Sequence, residues 1–304
     1  MAKAVIVGSK GQDGTLLSKL LESKGYEVVG IDKNCDVDIL DIVSVDEFMS
    51  SSQPDELYYL AAFHHSSQDK KPENIFLFRQ SFDINLFGLI NFLEAINTHS
   101  LNTKVFYAAS SHLFGNTKET PQTEETPINP ANIYGISKAA ALFACRYYRE
   151  NHGIFASVGI LYNHESNLRK ETFLTKKVTN FIKNAVNGDN KKLSLSSLDQ
   201  KIDMGFANDY VVAMWKILSL DKSDDFIIST GYGRALREFV KLAFMEADLD
   251  YRDHVNELKD SNDKPVLIGS NKKIQEKTNW KPSISFEEMI KVLVRDVLNN
   301  KGNQ

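Results

Sequence analysis

The chain has 304 residues, 42% of them hydrophobic, enough to bury one large core or two modest ones. A formal net charge of −4 and a pI near 6.0 give no electrostatic case for nucleic acid or an anionic membrane surface. Cys35 and Cys145 stand far apart without metal-type spacing, and the first apolar run is strand-sized, so a soluble protein of the reduced cytoplasm with no membrane span is expected.

Lys3-Ala-Val-Ile-Val7 is an apolar run of the kind that forms a buried parallel strand. It leads into Gly8-Ser-Lys-Gly11-Gln12-Asp13-Gly14 and then residues 15–21, whose apolar spacing is helical. Glycines at a strand-to-helix turn let the backbone approach a pyrophosphate, whose charge then lies on the helix N-terminus. The next strand is expected over 27–31, with Asp32 at its carboxyl end. A carboxylate there accepts hydrogen bonds from the ribose hydroxyls of an adenosine and repels a 2′-phosphate, which points to NAD rather than NADP.

Strands are expected over 56–62 and 104–109, with a long helix between them over 81–97. His64-His65 follows the first of these. Adjacent histidines at a strand end face opposite ways and lack a further ligand, so no metal is expected; His65 is placed near nicotinamide or substrate. Ser110-Ser111-His112-Leu-Phe-Gly115 precedes Tyr134-Gly-Ile-Ser-Lys138. Tyr and Lys four apart share one helix face, so the ammonium can sit beneath the phenol, favour phenolate and make Tyr134 an acid or base near neutrality. Ser110 could share the proton. The helix runs on over 139–151, and a strand follows over 156–161.

Alternating strands and helices predict an α/β fold: a Rossmann-type doubly wound parallel sheet, with a smaller C-terminal substrate-binding α/β domain. After Asn163 the texture is looser, with a strand over 226–229 and helices over 237–247, 271–278 and 286–298. The expected division is 1–162 for the NAD-binding domain, with 206–230 returning to it, and 163–205 plus 231–304 for the sugar-nucleotide domain.

Together these residues resemble an extended short-chain dehydrogenase/reductase of the nucleotide-sugar branch. Gly11-Gln-Asp-Gly14, Gly159-Ile-Leu-Tyr-Asn-His-Glu-Ser166, Phe173-Leu-Thr-Lys-Lys177 and Asp209-Tyr-Val-Val-Ala-Met-Trp215 narrow the likeness to GDP-mannose 4,6-dehydratase. Pro265 to Lys273 and Asn279-Trp-Lys-Pro282 are shared with GDP-4-keto-6-deoxymannose reductase. The resemblance implies that Gly8, Gly11, Gln12, Asp13 and Gly14 hold the dinucleotide pyrophosphate and Asp32 the ribose. It places Asp38 and Ile39 beside adenine, and Leu60, Ala61 and Ala62 along the cofactor. Ser110, Tyr134 and Lys138 become the hydride-transfer triad. Ser111 and His112 are assigned to substrate, Asn163 to the sugar-linked phosphates and Lys177 to GDP. A homodimer through the Tyr134 helix is implied as well, with Ala139, Ala140, Leu142, Phe143 and Tyr147 able to serve core or interface.

The chain also departs from that pattern. The dehydratases carry a glutamate where this chain has His112, and that glutamate takes the C5 proton so that water leaves from C6. Ile202 stands where a phosphate-binding arginine is expected and Met204 where a tryptophan is; Arg234, Lys201 or Lys264 could take the diphosphate instead. The expected function is therefore an NAD-dependent 4-dehydrogenase of a GDP-linked hexose or heptose, serving surface-glycan (capsule or lipopolysaccharide) biosynthesis. The alternatives are a 4-keto-sugar reductase, a 4,6-dehydratase with His112 in the glutamate's place, and a non-catalytic dinucleotide sensor.

Overall fold

A computed structural model describes residues 1–64, 72–99, 101–189, 191–258 and 265–299. The first half alternates β1 (Lys3–Val7), α1 (Gln12–Ser23), β2 (Glu27–Ile31), α2 (Ile42–Ser52), β3 (Glu56–Tyr59), α3 (Asn74–Phe82), α4 (Gly88–Thr98), β4 (Lys104–Ser110), α5 (Ile133–His152) and β5 (Ala156–Leu161). There follow β6 (Asn163–Glu165), α6 (Leu174–Val186), β7 (Leu193–Ser196), β8 (Lys201–Phe206), α7 (Ala207–Leu218), β9 (Asp225–Ile228), β10 (Gly233–Ala235), α8 (Leu236–Met245), α9 (Tyr251–His254), β11 (Val255–Leu258), α10 (Lys272–Thr278) and α11 (Phe286–Asn299).

The main sheet is parallel throughout, in the order β2-β1-β3-β4-β5-β9. β1 reads as an unbroken apolar run because both its faces are covered. One face packs Val5, Leu57, Tyr107 and Val158 against α2, α4 and α5. The other packs Ile6, Tyr58 and Phe106 against Leu17 and Leu21 of α1 and Met214 and Ile217 of α7. The strand order reverses at β1, and ligands of such sheets bind outside the carboxyl ends of the strands at that switch point.

A second, smaller core gathers α6, α8 and α11 around Val178, Phe239, Phe244 and Leu293. It carries a three-stranded sheet, β10-β8-β6, and a parallel pair, β11-β7. Asp203 on β8 joins the two cores: its carboxylate accepts from the Thr230 amide and hydroxyl and from the Gly231 and Gly269 amides. Burial pushes its pKa up to about 6 although these donors pull it down.

Several local expectations needed correction. The strand expected over 56–62 ends at Tyr59; Leu60 still donates to the Val7 carbonyl, but the chain then turns out of the sheet. The helix expected over 81–97 starts at Asn74 and contains a wide turn over Asp83–Phe87. Two buried tyrosines account for it: the Tyr59 hydroxyl bonds the Ile84 carbonyl at 2.6 Å and the Tyr107 hydroxyl bonds that of Asn85 at 3.2 Å, drawing both out of the helical ladder. On α5, Ala139 and Leu142 belong to the core, whereas Phe143 and Tyr147 are exposed. Helices α2, α6, α7 and α9 and the short strands of the second core lay outside the predicted elements.

Among the described residues no helix is long and apolar enough to cross a membrane, and no cluster of three or more His, Cys, Asp or Glu could hold a metal ion. His65 and Lys264 lie outside the described residues.

Candidate active site

The carboxyl ends of β1, β4 and β5 open onto one cavity of about 380 Å³. Its walls include Gly8, Gly11, Gln12, Asp13 and Gly14 of the first turn, Leu60 and Ala62 after β3, Ser110 at the end of β4, and Ser111 and His112 after it. Tyr134 and Lys138 of α5 and Asn163 of β6 complete the residues expected there. Asp32, Asp38, Ile39, Ala61 and Lys177 are not in this wall. Asp32 sits at the end of β2 beside the glycine turn, 3.2 Å from Lys10 Nζ and accepting from the Asn34 amide, which holds its pKa below the usual carboxylate value. Ala61 packs against Gly8. Asp38 accepts from the Leu40 amide, and the Ile39 carbonyl accepts from Asn91 on α4. Lys177 stands half-buried on α6.

The first turn is shaped for a backbone-held anion. A Cβ on Gly14 would come within 2.3 Å of the Gly8 carbonyl oxygen, so only glycine lets α1 begin this close to β1. With Asp32 at the end of the neighbouring strand, the turn fits the pyrophosphate and ribose of a dinucleotide. The side chains of Gln12 and Asp13 have a further task. Gln12 donates to the His164 carbonyl and accepts from Ser166, and Asp13 bonds the His164 ring. The Gly-Gln-Asp-Gly and Asn-His-Glu-Ser segments are therefore one joined structure.

Ser110, Tyr134 and Lys138 converge through β4 and the first turns of α5. Asn132 caps that helix by accepting from the Gly135 amide at 2.8 Å. Gly135 must be glycine, because a Cβ there would lie 2.5 Å from the His112 carbonyl oxygen. The close approach sets Tyr134 beside the Ser110–His112 turn, its ring edge-on to His112 at 5.9 Å between centroids.

The electrostatics differ from the sequence expectation. Burial pushes the Tyr134 phenol up to about 12, and the groups that pull it back are the Arg169 charge and the Ser110 hydroxyl. Burial lowers Lys138 to about 7, and its nitrogen donates to the Ala108 carbonyl at 2.7 Å, 5.8 Å from the Tyr134 ring centroid. Arg169 stacks on Phe173 at 3.8 Å and lies 3.4 Å from Glu165.

Arg169, Lys170, His64 and Phe173 line the cavity too, and none was singled out from sequence as a site residue. No periodicity marks them; a basic pair just after Asn-His-Glu-Ser was the available signal. Among the described residues, Arg169 and Lys170 bring charge to this wall, whereas Arg234 and Lys201 are not part of it and Arg234 is engaged by Glu238 and Glu287.

A family model described as GDP-mannose 4,6 dehydratase matches residues 33–293. The chain is 33% identical to GDP-mannose 4,6 dehydratase 2 of Arabidopsis thaliana, over 97% of this chain and 86% of that protein. It is 31% identical to GDP-mannose 4,6-dehydratase of Yersinia enterocolitica, over 97% and 93% respectively. Among solved structures, RMD from Pseudomonas aeruginosa complexed with NADPH superposes with a TM-score of 0.87 at 21% identity, over 99% of this chain and 100% of that one, a likeness of fold.

Proposed function

Because the chain belongs to the GDP-mannose 4,6-dehydratase family, we propose that it is an NAD-dependent enzyme that oxidises C4 of a GDP-linked hexose or heptose and carries the 4-ketone on to loss of water from C6. This departs from the 4-dehydrogenase expected from sequence: the relatives that match nearly end to end are 4,6-dehydratases. The observation that carries the reading is the meeting of Ser110, Tyr134 and Lys138 with the glycine turn in one cavity.

The chemistry an NAD cofactor supplies is reversible acceptance of a hydride. Gly8, Gly11 and Gly14 hold its pyrophosphate, with Gln12 and Asp13 bracing the turn, and Asp32 takes the adenosine ribose. Tyr134 takes the C4 hydroxyl proton, with Ser110 sharing it and Lys138 beneath. Ser111 and His112 face the sugar. Asn163 and Arg169 lie toward the sugar-linked phosphates and Lys177 toward GDP. In this assignment residues 163–205 and 231–304 form the sugar-nucleotide domain, and the exposed Phe143 and Tyr147 of α5 belong to a homodimer interface.

A second reading, release of the free 4-ketone by a 4-dehydrogenase, draws on His112, an imidazole where the dehydratases carry a glutamate. Product mass separates the two. With NAD⁺, GDP-mannose or a GDP-heptose, and a ketone trap, dehydration gives loss of water without net cofactor reduction. Loss of two hydrogens with accumulating NADH means the dehydrogenase, and no product with either sugar sinks both.

A further inference from the structure

Loss of water next to a C4 ketone needs a base for the C5 proton, and His112 is oriented against that role. Asn132 Oδ1 is committed to the Gly135 amide at the start of α5, so its Nδ2 is the atom facing His112 Nδ1 at 3.0 Å. An amide NH₂ only donates, so His112 Nδ1 accepts, and the neutral ring carries its proton on Nε2. Burial lowers the His112 pKa and favours that neutral form. The ring nitrogen left for the cavity is therefore an N–H donor.

A second imidazole meets Tyr134 from another side. The His64 ring is edge-on to the Tyr134 ring at 4.8 Å and stacked on Phe173 at 5.6 Å. Its place is built: the Phe63 amide donates to Asn85 Oδ1 at 2.9 Å, and the fully buried Asn85 donates to Ser137 Oγ of α5 at 2.8 Å. Thus one hydrogen-bonded chain ties the His64 segment to the helix that carries Tyr134. His64 keeps an exposed face, yet the side chains around its ring desolvate it and, with the neighbouring positive groups, lower its pKa to about 4, so the ring is neutral.

We propose that His64 is the base that takes the C5 proton and that His112, fixed by Asn132, is a hydrogen-bond donor to the C4 oxygen. This rests on the dehydratase reading above. Transfer of the C5 proton to His64 leaves the electron pair of the broken C–H bond as an enolate, whose charge grows on the C4 oxygen against His112 Nε2–H. A neutral imidazole serves as such an electrophile without giving up its proton. Collapse of the enolate forms the C5–C6 double bond and breaks the C6–O bond. The departing oxygen takes the proton from the His64 imidazolium and leaves as water. His64 is then neutral as it began; return of the hydride to C6 of that double bond, with a solvent proton delivered to C5 through His64, would leave the cofactor oxidised and the C4 ketone in place. Asn132 is the positioning residue.

The test has two arms on the full chain. In the first, imidazole ¹⁵N NMR, with His112 assigned by its absence in His112→Gln, should show the Nε2–H tautomer. Asn132→Asp keeps a cap acceptor for Gly135 but also accepts from Nδ1, and should move the proton to Nδ1. An Nδ1–H tautomer in the unsubstituted chain overturns the His112 role, whatever the catalytic outcome.

In the second arm, GDP-mannose is turned over with NAD⁺ in D₂O by the unsubstituted chain and by His64→Gln. Water loss and deuterium entry at C5 should fall by about 10²-fold or more in the variant. Single-turnover appearance of NADH absorbance should stay within a few-fold, which shows the fold and the C4 step intact. Unchanged C5 deuteration in His64→Gln overturns the His64 role. If the unsubstituted chain releases a ketone without losing water, the dehydratase reading fails; C5 exchange in that ketone then judges His64 by itself, its loss in His64→Gln supporting the base and its persistence overturning it.

Discussion

His164 holds Asp13 through Nε2 at 2.9 Å while its Nδ1 lies 2.7 Å from the Tyr162 carbonyl. Both partners are acceptors, so the ring between them is an imidazolium, stacked on Tyr210 at 4.5 Å. This buried ion pair fastens the glycine turn to the segment that follows β5.

The pair makes stability depend on pH. Burial alone would lower the His164 pKa, but the Asp13 charge and hydrogen bond raise it above 6.5. Burial would raise Asp13, but the His164 charge and hydrogen bond, with Gln12, hold it below 3.8. The histidine contribution is complete below its unfolded pKa and fades as pH rises through the raised value. The aspartate contribution is complete above its own and fades as pH falls through the lowered one. Unfolding free energies from urea titration of His164→Ala should therefore fall short of the unsubstituted chain by about 3 kcal/mol, with the gap widest between the ordinary values of 3.8 and 6.5. A gap that grows above neutral pH contradicts the imidazolium.

Tyr134→Phe removes the hydroxyl proposed to exchange the C4 proton and keeps the ring that packs at the start of α5. Turnover should drop by roughly 10²- to 10⁴-fold, with NADH binding, read by fluorescence titration, within a few-fold. A chain that keeps its turnover does not use Tyr134 as its acid or base.

Arg169 is the charge that pulls the Tyr134 phenol down against burial. In Arg169→Gln that pull is lost and the phenol pKa rises further, so phenolate becomes scarcer at any given pH. The rise of kcat/KM with pH should move to higher pH, and the rate at pH 8 should fall by about tenfold, as one pKa unit implies. A superimposable pH–rate profile means that Arg169 acts on binding alone.

In the proposed assignment Asp32 selects the sugar of the adenosine half, and Lys10 sits 3.2 Å from it. Asp32→Asn removes the charge that repels a 2′-phosphate and frees Lys10 to meet one. The NADP-to-NAD affinity ratio should rise by about tenfold or more. An unmoved ratio places the discrimination elsewhere on the β2 loop.

The parallel sheet, the glycine turn, the place of Asp32 at the end of β2 and the Tyr134–Lys138 pair on one helix were legible in the sequence because each rests on short-range spacing: apolar runs of strand length, glycines at a turn, two residues four apart on a helix. The wide turn before Gly88 was not, since tyrosines on β3 and β4 cause it. Nor was the charge that acts on Tyr134, because Lys138 is adjacent in sequence yet bonded to Ala108, while Arg169 arrives from beyond β6. The sequence could name His112 as a substitution and His64 as one of a pair, but which ring nitrogen of His112 carries the proton follows from an amide at the cap of α5. Helical and strand periods are local properties of a chain. Proton positions and buried charges depend on what distant segments bring to one place, and that only the folded structure decides.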